Sequence, residues 1–232
     1  MTENKIEIRR CSTVEDLSQC VALQRETFAL PEIEISPVRH FIVTEHAGGF
    51  TLGAFFGAEL VGFVLSVPAF SGSENFFYSH MAAVKREFQS GGIGAKLKWA
   101  QREKALEKNV KFIKWTFQPV QPRNAFFNLE KLGVIIKNYE PNFYGTDYAT
   151  LPEQREKVGL DSDRLFAEWH LESEKVERLA SGKNFTENGE IARTIKIPND
   201  WNALVKSDIR QAVGEQIRVK LNFQQKPPEI PV

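Results

Sequence analysis

The sequence predicts an α/β protein, in the α+β sense, whose mixed and mainly antiparallel central sheet is flanked by helices and followed by a C-terminal extension. Three observations predict it. Four extended segments precede residue 85 without the repeated strand-helix crossovers that a doubly wound dinucleotide fold requires. Residues 77–108 then read as a strand, a tight glycine-rich loop and a helix in immediate succession. Finally, 232 residues that are 42% hydrophobic and 26% charged bury one substantial core, with an appendage more readily than with a second full domain. The expected organisation is a domain over 1–172 and a strand-helix extension with a proline-rich tail over 173–232.

In chain order, residues 6–9 alternate as a first strand, and Ser12 with Glu15 makes a capping box for a helix carrying Leu17, Cys20, Val21 and Leu23. That helix ends before Pro31. Residues 30–40, with Pro31, Pro37, Glu32 and Glu34, read as an irregular or short helical connection. Residues 49–56 and 59–70 form a hairpin about Gly57 and Ala58, and 71–75 turn into the strand at 77–84. The helix from 93 puts Leu97, Ala100 and Leu106 on one face and leaves Lys96, Arg102 and Lys108 to water.

Residues 110–117 are the next strand and 124–131 the next helix, stopped at Gly133. Strands at 134–139 and 164–171 enclose a long polar excursion containing Tyr144, Gly145, Tyr148 and Pro152, longer than ordinary connections. Beyond it, 172–179 is a short charged helix, 181–189 a linker and 191–197 a strand. One helix then runs over 201–223, and its apolar stripe docks on its own domain or, as the competing use, joins a homodimer. The tail with Pro227, Pro228 and Pro231 reads as disordered.

Charge narrows the function classes. Lysine plus arginine equals aspartate plus glutamate at 30 each, so no global field argues for nucleic acid or an anionic membrane. Lys111 and Lys114 alternate with apolar residues instead of forming an RNA-reading stripe. No apolar run approaches about 18 residues and the N-terminus has no signal core, so a cytoplasmic protein is expected. Cys11 and Cys20 suggest small buried side chains in a reducing compartment, and His40, His46 and His170 make no metal set.

The chemistry concentrates at 77–108. Gln89, Gly92 and Gly94 have the spacing Q-x-x-G-x-G with Gly91 adjoining, so the backbone can turn sharply and expose its amides at a helix start. Those amides and the helix dipole favour an anion such as a pyrophosphate, although glycines at a helix start also serve plain turns. Gln89 either holds this loop or meets the phosphate. His80, inside the strand, has the chemistry of a base near neutral pH, with a hydrogen-bonded strand histidine as the alternative.

On these residues the chain resembles the GCN5-related N-acyltransferases, with Val84 five positions before Gln89 and a second segment at Asn124, Lys131 and Gly133. Asn128, Leu132 and residues 142–145 and 162–168 are similar to a poorly characterised subgroup of acetyltransferases. The resemblance implies that Gln89, Ser90, Gly91, Gly92, Ile93 and Gly94 hold the pyrophosphate of acetyl-coenzyme A or another acyl-coenzyme A. It further implies that backbone N–H groups at Ala83 and Val84 face the thioester carbonyl, and that Asn124 meets the pantetheine arm or caps its own helix. The family's usual tyrosine acid falls at Leu129, which has no proton to give, so Tyr144 is the substitute; Glu130 and Glu168 are secondary bases to His80. The implied activity is direct acetyl transfer to an amine of a small molecule, peptide or protein. A coenzyme A-binding sensor or scaffold on the same fold is the alternative.

Overall fold

The computed structural model describes residues 5–28, 30–145, 160–191 and 193–225. Among the described residues seven strands form one sheet in the order β1-β2-β3-β4-β5-β7-β6. These are β1 (Ile6–Arg10), β2 (Phe50–Phe56), β3 (Glu59–Ser71), β4 (Glu74–Val84), β5 (Phe112–Phe117), β6 (Ile135–Glu140) and β7 (Arg164–His170). Pairing is antiparallel from β1 to β4 and between β6 and β7, and parallel between β4 and β5, so the sheet is mixed and mainly antiparallel. The chain divides into two compact units. The described residues of 5–115 and 169–173 belong to the first, and those of 116–145, 160–168 and 174–225 to the second.

In the first unit, helices α1 (Val14–Phe28) and α2 (Val38–His46) cover one sheet face. Leu17 and Leu23 from α1 and Phe41 from α2 pack with Phe55, Phe63 and Leu65 of the sheet, all nearly inaccessible to solvent. Helix α3 (Ile93–Glu107) contributes buried Leu97 and Ala105, and a Cβ added at Gly62 would meet Leu97. Strand alternation explains the division, since odd-numbered Phe63 and Leu65 point one way and Gly62 and Ser66 the other.

Several expectations need correction here. Thr13, one residue beyond Ser12, caps α1, its hydroxyl accepting from the Asp16 amide at 3.1 Å. The connection 30–40 is more regular than its prolines suggest, because Glu32–Glu34 forms a 3-10 turn and Pro37 precedes α2, where its missing N–H costs nothing. Arg102 is buried instead of facing water, and its Nε donates to the Leu171 carbonyl at 2.9 Å.

The second unit contains α4 (Pro122–Phe126), which runs into a π turn over Phe127–Lys131, and α5 (Glu174–Ala180). Gly133 ends this stretch at φ +73°, and a Cβ there would meet Leu179. The 201–223 helix is two helices, α6 (Trp201–Ser207) and α7 (Ile209–Gln224), broken at Asp208, whose extended backbone and carboxylate cap α7. Trp201, Ala212 and Val219 pack with Val120, while Phe223 tilts against Tyr139. The expected strand at 191–197 is absent from its described residues. Its side-chain and backbone groups are engaged with α7 instead, Arg193 reaching the Asn222 carbonyl and Arg218 the Lys196 carbonyl. Tyr148 and Pro152 of the long excursion, and Pro227, Pro228 and Pro231 of the tail, lie outside the described residues.

Candidate active site

The strand β4 is shaped by a slip in register. Ser66 pairs with Ser79, but the preceding Leu65 pairs with Met81, so His80 is the extra residue of a β-bulge. The bulge brings His80 and Met81 to the face covered by α1 and α2, where Met81 packs on the core and the His80 ring lies 5.5 Å from that of His40 on α2. Burial, and then proximity to His40, hold the His80 imidazole below the usual histidine range even though part of the residue remains open to solvent. At neutral pH it is therefore the uncharged, proton-accepting form.

After the bulge, β4 keeps its β3 partner to Val84, whereas its register with β5 spans only Phe77↔Ile113 and Tyr78↔Lys114. The amide of Lys85 donates to the Val61 carbonyl at 2.8 Å, which fixes the alternation of this ladder. Ala83, two residues back, turns its N–H toward β3, and Val84 turns its N–H toward the opposite edge. Of the two backbone positions taken from the resemblance, Val84 is thus the one directed away from the β3 ladder.

The loop after β4 is built to leave amides exposed. Gln89 Nε2 donates to the Val84 carbonyl at 3.0 Å, so this side chain ties the loop back to the strand. Ser90 has φ +68°, and Gly92 stands at the cap of α3 with φ +78°, a region L side chains seldom adopt. Gly92 at the cap offers no side chain to the α3 amides, and a Cβ there would meet nothing within 4 Å. Gly92 therefore borders open space beside the first-turn amides and Gly91 is exposed next to it, while Gly94 is half-buried and Ile93 buries its side chain and anchors the turn. That setting suits a phosphate group, which needs N–H donors and room.

Beneath the bulge lies a polar network that the sequence did not reveal. Gln101 Nε2 donates to Ser66 Oγ at 2.7 Å and Ser79 Oγ at 3.1 Å, and Lys98 Nζ reaches Ser79 Oγ at 3.1 Å. All four side chains are buried. They join α3 to the paired residues that flank the slip in register. The available signal was hydroxyls at Ser66 and Ser79 within apolar strands, with Lys98 and Gln101 three residues apart on the helix.

The remaining candidates belong to the second unit, where each has its own surroundings. Asn124 is exposed inside α4 and does not occupy the cap, which falls at Gln121. Glu130 is exposed in the π turn. Glu168 is buried and paired with Lys137 at 2.9 Å. Tyr144 is 46% exposed, with the Arg164 guanidinium 4.9 Å above its ring and its amide donating to Ser162 Oγ at 2.7 Å. Tyr139, a phenol not singled out by the sequence, is bound by Asp163; burial and that carboxylate raise its pKa, which disfavours proton release.

Among the described residues no cluster of three or more His, Cys, Asp or Glu could hold a metal, and no helix is long and apolar enough to cross a membrane. Cys11 and Cys20 are buried with their sulfurs 3.9 Å apart.

The model of the acetyltransferase (GNAT) family matches residues 15–134, just over half of the chain. No curated protein matches the sequence. Among solved structures, ribosomal-protein-alanine N-acetyltransferase from Brucella melitensis is similar at TM-score 0.55 and 19% identity, over 71% of this chain and 99% of its own. Ribosomal-protein-S18-alanine N-acetyltransferase from Escherichia coli gives 0.54 and 13%, over 81% and 100%. A GNAT family acetyltransferase from Elizabethkingia anophelis, solved with acetyl-CoA bound, gives 0.52 and 17%, over 73% and 100%. At these identities the likeness is one of fold.

Proposed function

Because the chain belongs to the acetyltransferase (GNAT) family, we propose that it moves an acetyl group from acetyl-coenzyme A directly to an amine of a small molecule or protein. The observation that carries the reading is the sequence of bulged β4, tied-back loop and uncapped α3 with left-handed Gly92. The Elizabethkingia relative, whose structure contains acetyl-CoA, supports the choice of donor.

In this reading the amides from Ser90 to Gly94 receive the pyrophosphate, and Gln89 keeps the loop open by its bond to Val84. The Val84 N–H stabilises the carbonyl oxygen as negative charge develops on it. His80 accepts the proton of the attacking amine as the carbon–nitrogen bond forms and the carbon–sulfur bond breaks. Asn124 on the pantetheine arm, Tyr144 as proton donor to the departing thiolate, and Glu130 and Glu168 as alternative bases are assignments for mutagenesis. Both cysteines are buried and take no part in this reading; at Cys20 the Cys11 contact and burial both push the thiol up, so its proton is held.

Titration calorimetry of the full chain with acetyl-coenzyme A, against coenzyme A and ATP, tests the donor site. Saturable one-site binding that ATP does not reproduce supports the proposal. Folded protein that gives no heat with either coenzyme A form overturns it. A coenzyme A-binding sensor is the second reading, favoured by Leu129, which leaves no proton donor four residues before Gly133. Tight binding without turnover across an amine panel would select it.

A further inference from the structure

His40 has no role in the reaction just described, yet its Nε2 is buried and lacks any hydrogen-bond partner among the described residues. A buried polar atom left in this state costs about 1–3 kcal/mol, so a partner that becomes available during the enzyme's cycle would be taken up. The neighbour at hand is His80, 5.5 Å away between ring centres with the planes tilted by 58°. A direct N–H···N bond of about 2.9 Å between imidazoles needs a centre-to-centre separation of about 5 Å, a small swing for the more exposed His80 ring.

We propose that His40 is a positioning residue for His80, its Nε2 accepting the N–H of the His80 ring so that the opposite nitrogen of His80 is left basic for the acceptor amine. The proposal rests on the acetyltransferase reading for its purpose and on the fold alone for its geometry. A neutral imidazole carries one proton, and the hydrogen bond made by one nitrogen decides which nitrogen remains an acceptor. His40 thus carries its own proton on Nδ1. When His80 takes the amine proton it becomes an imidazolium with two N–H groups, one of them still held by His40 Nε2. No net charge passes to His40, and the balance closes at His80 until bulk water removes the proton.

Two features of the fold make the pair specific. His40 sits in the first turn of α2, tied by its amide to the Pro37 carbonyl at 2.9 Å, and its ring meets Phe41 edge-on at 6.2 Å. His80 is the extra residue of the bulge, so its ring orientation is not dictated by a cross-strand partner. The helix side is therefore fixed, and the strand side is free to be oriented.

The test is long-range 1H–15N correlation spectroscopy of the imidazoles in the full chain, above the pH at which His80 is neutral. In the unmodified protein the two His80 nitrogens should show well-separated shifts, the mark of a single tautomer. His40→Gln, whose amide oxygen still accepts, should retain that separation. His40→Phe should lose it, the two shifts collapsing toward the averaged values of a free imidazole, with His40→Leu as the substitute if the larger ring disturbs α2. Unchanged His80 shifts in a folded His40→Phe or His40→Leu protein overturn the proposal. Failure of the acetyltransferase reading appears separately, as absence of acetyl-coenzyme A binding to the unmodified protein whatever the ring does.

Discussion

The ammonium nitrogen of Lys98 lies 3.6 Å from the centre of the Trp115 ring, inside the first unit and out of reach of water. The indole face returns on the order of 2 kcal/mol to a desolvated cation, whereas taking an ammonium out of water costs several kcal/mol, so desolvation wins. Burial accordingly drives the Lys98 pKa well below its usual value. A lysine depressed in the folded state binds fewer protons there than in the unfolded chain. Stability therefore rises as pH climbs toward about 10.4. Lys98→Met should flatten that rise and leave stability at neutral pH unchanged or higher by on the order of 1 kcal/mol. Urea unfolding across a pH series measures both; an undiminished slope would mean another group carries it.

Removing Gln101 should act oppositely. Gln101→Leu strands the Ser66 hydroxyl that its amide now meets and leaves the Ser79 hydroxyl to Lys98, a loss of about 1–3 kcal/mol. The urea midpoint should fall with the slope of the transition unchanged.

Gly92 at φ +78° is predicted to matter twice. Gly92→Leu costs about 1–2 kcal/mol through the left-handed backbone. Because a side chain there projects into open space beside the α3 amides, acetyl-coenzyme A affinity should fall at least about tenfold, equivalent to about 1.4 kcal/mol. Calorimetry on the folded variant decides, and an undiminished affinity would take the loop out of the donor site.

His80→Gln should slow acetyl transfer by about 10²- to 10⁴-fold while leaving acetyl-coenzyme A binding intact. Burial depresses the His80 pKa, so the acid limb of kcat/KM should fall below about 6.5, the ordinary histidine value. The same depression means that folding loses stability as pH drops from about 6.5 through the folded-state value, because the unfolded chain binds that proton first. A pH–rate profile with its acid limb at or above the ordinary value would exclude His80 as the base.

In the second unit, Asp208 accepts from the Gln211 amide at 2.9 Å. Asp208→Ala should cost about 1 kcal/mol, read as a lower thermal midpoint with little change in the coenzyme A titration.

What could be read beforehand was local. The β2–β3 hairpin, the strand-loop-helix at β4 and the stop at Gly133 follow from alternation and glycine, properties of neighbours in sequence. The segment with Ile191, Ile195 and Ile197 has the same alternation, but Arg193 and Arg218 tie it to α7 instead of a strand partner. The apolar stripe of 201–223 continues across Asp208, which hid the break between α6 and α7. At the site, His80 and the glycines were visible as residue types. His40 was visible only as a failed metal ligand, because its meeting with His80 depends on α2 packing over a bulge that no spacing announces.

The contiguity of β2, β3 and β4 bears on the order of assembly during synthesis. Their antiparallel ladder joins neighbours along the chain, so it needs only short loop closures. The parallel partner β5 must wait for α3 to emerge. The register slip at His80 can thus be in place before β5 is available to pair, and pulse-labelled hydrogen exchange during refolding should find the β3 and β4 amides protected ahead of those in β5.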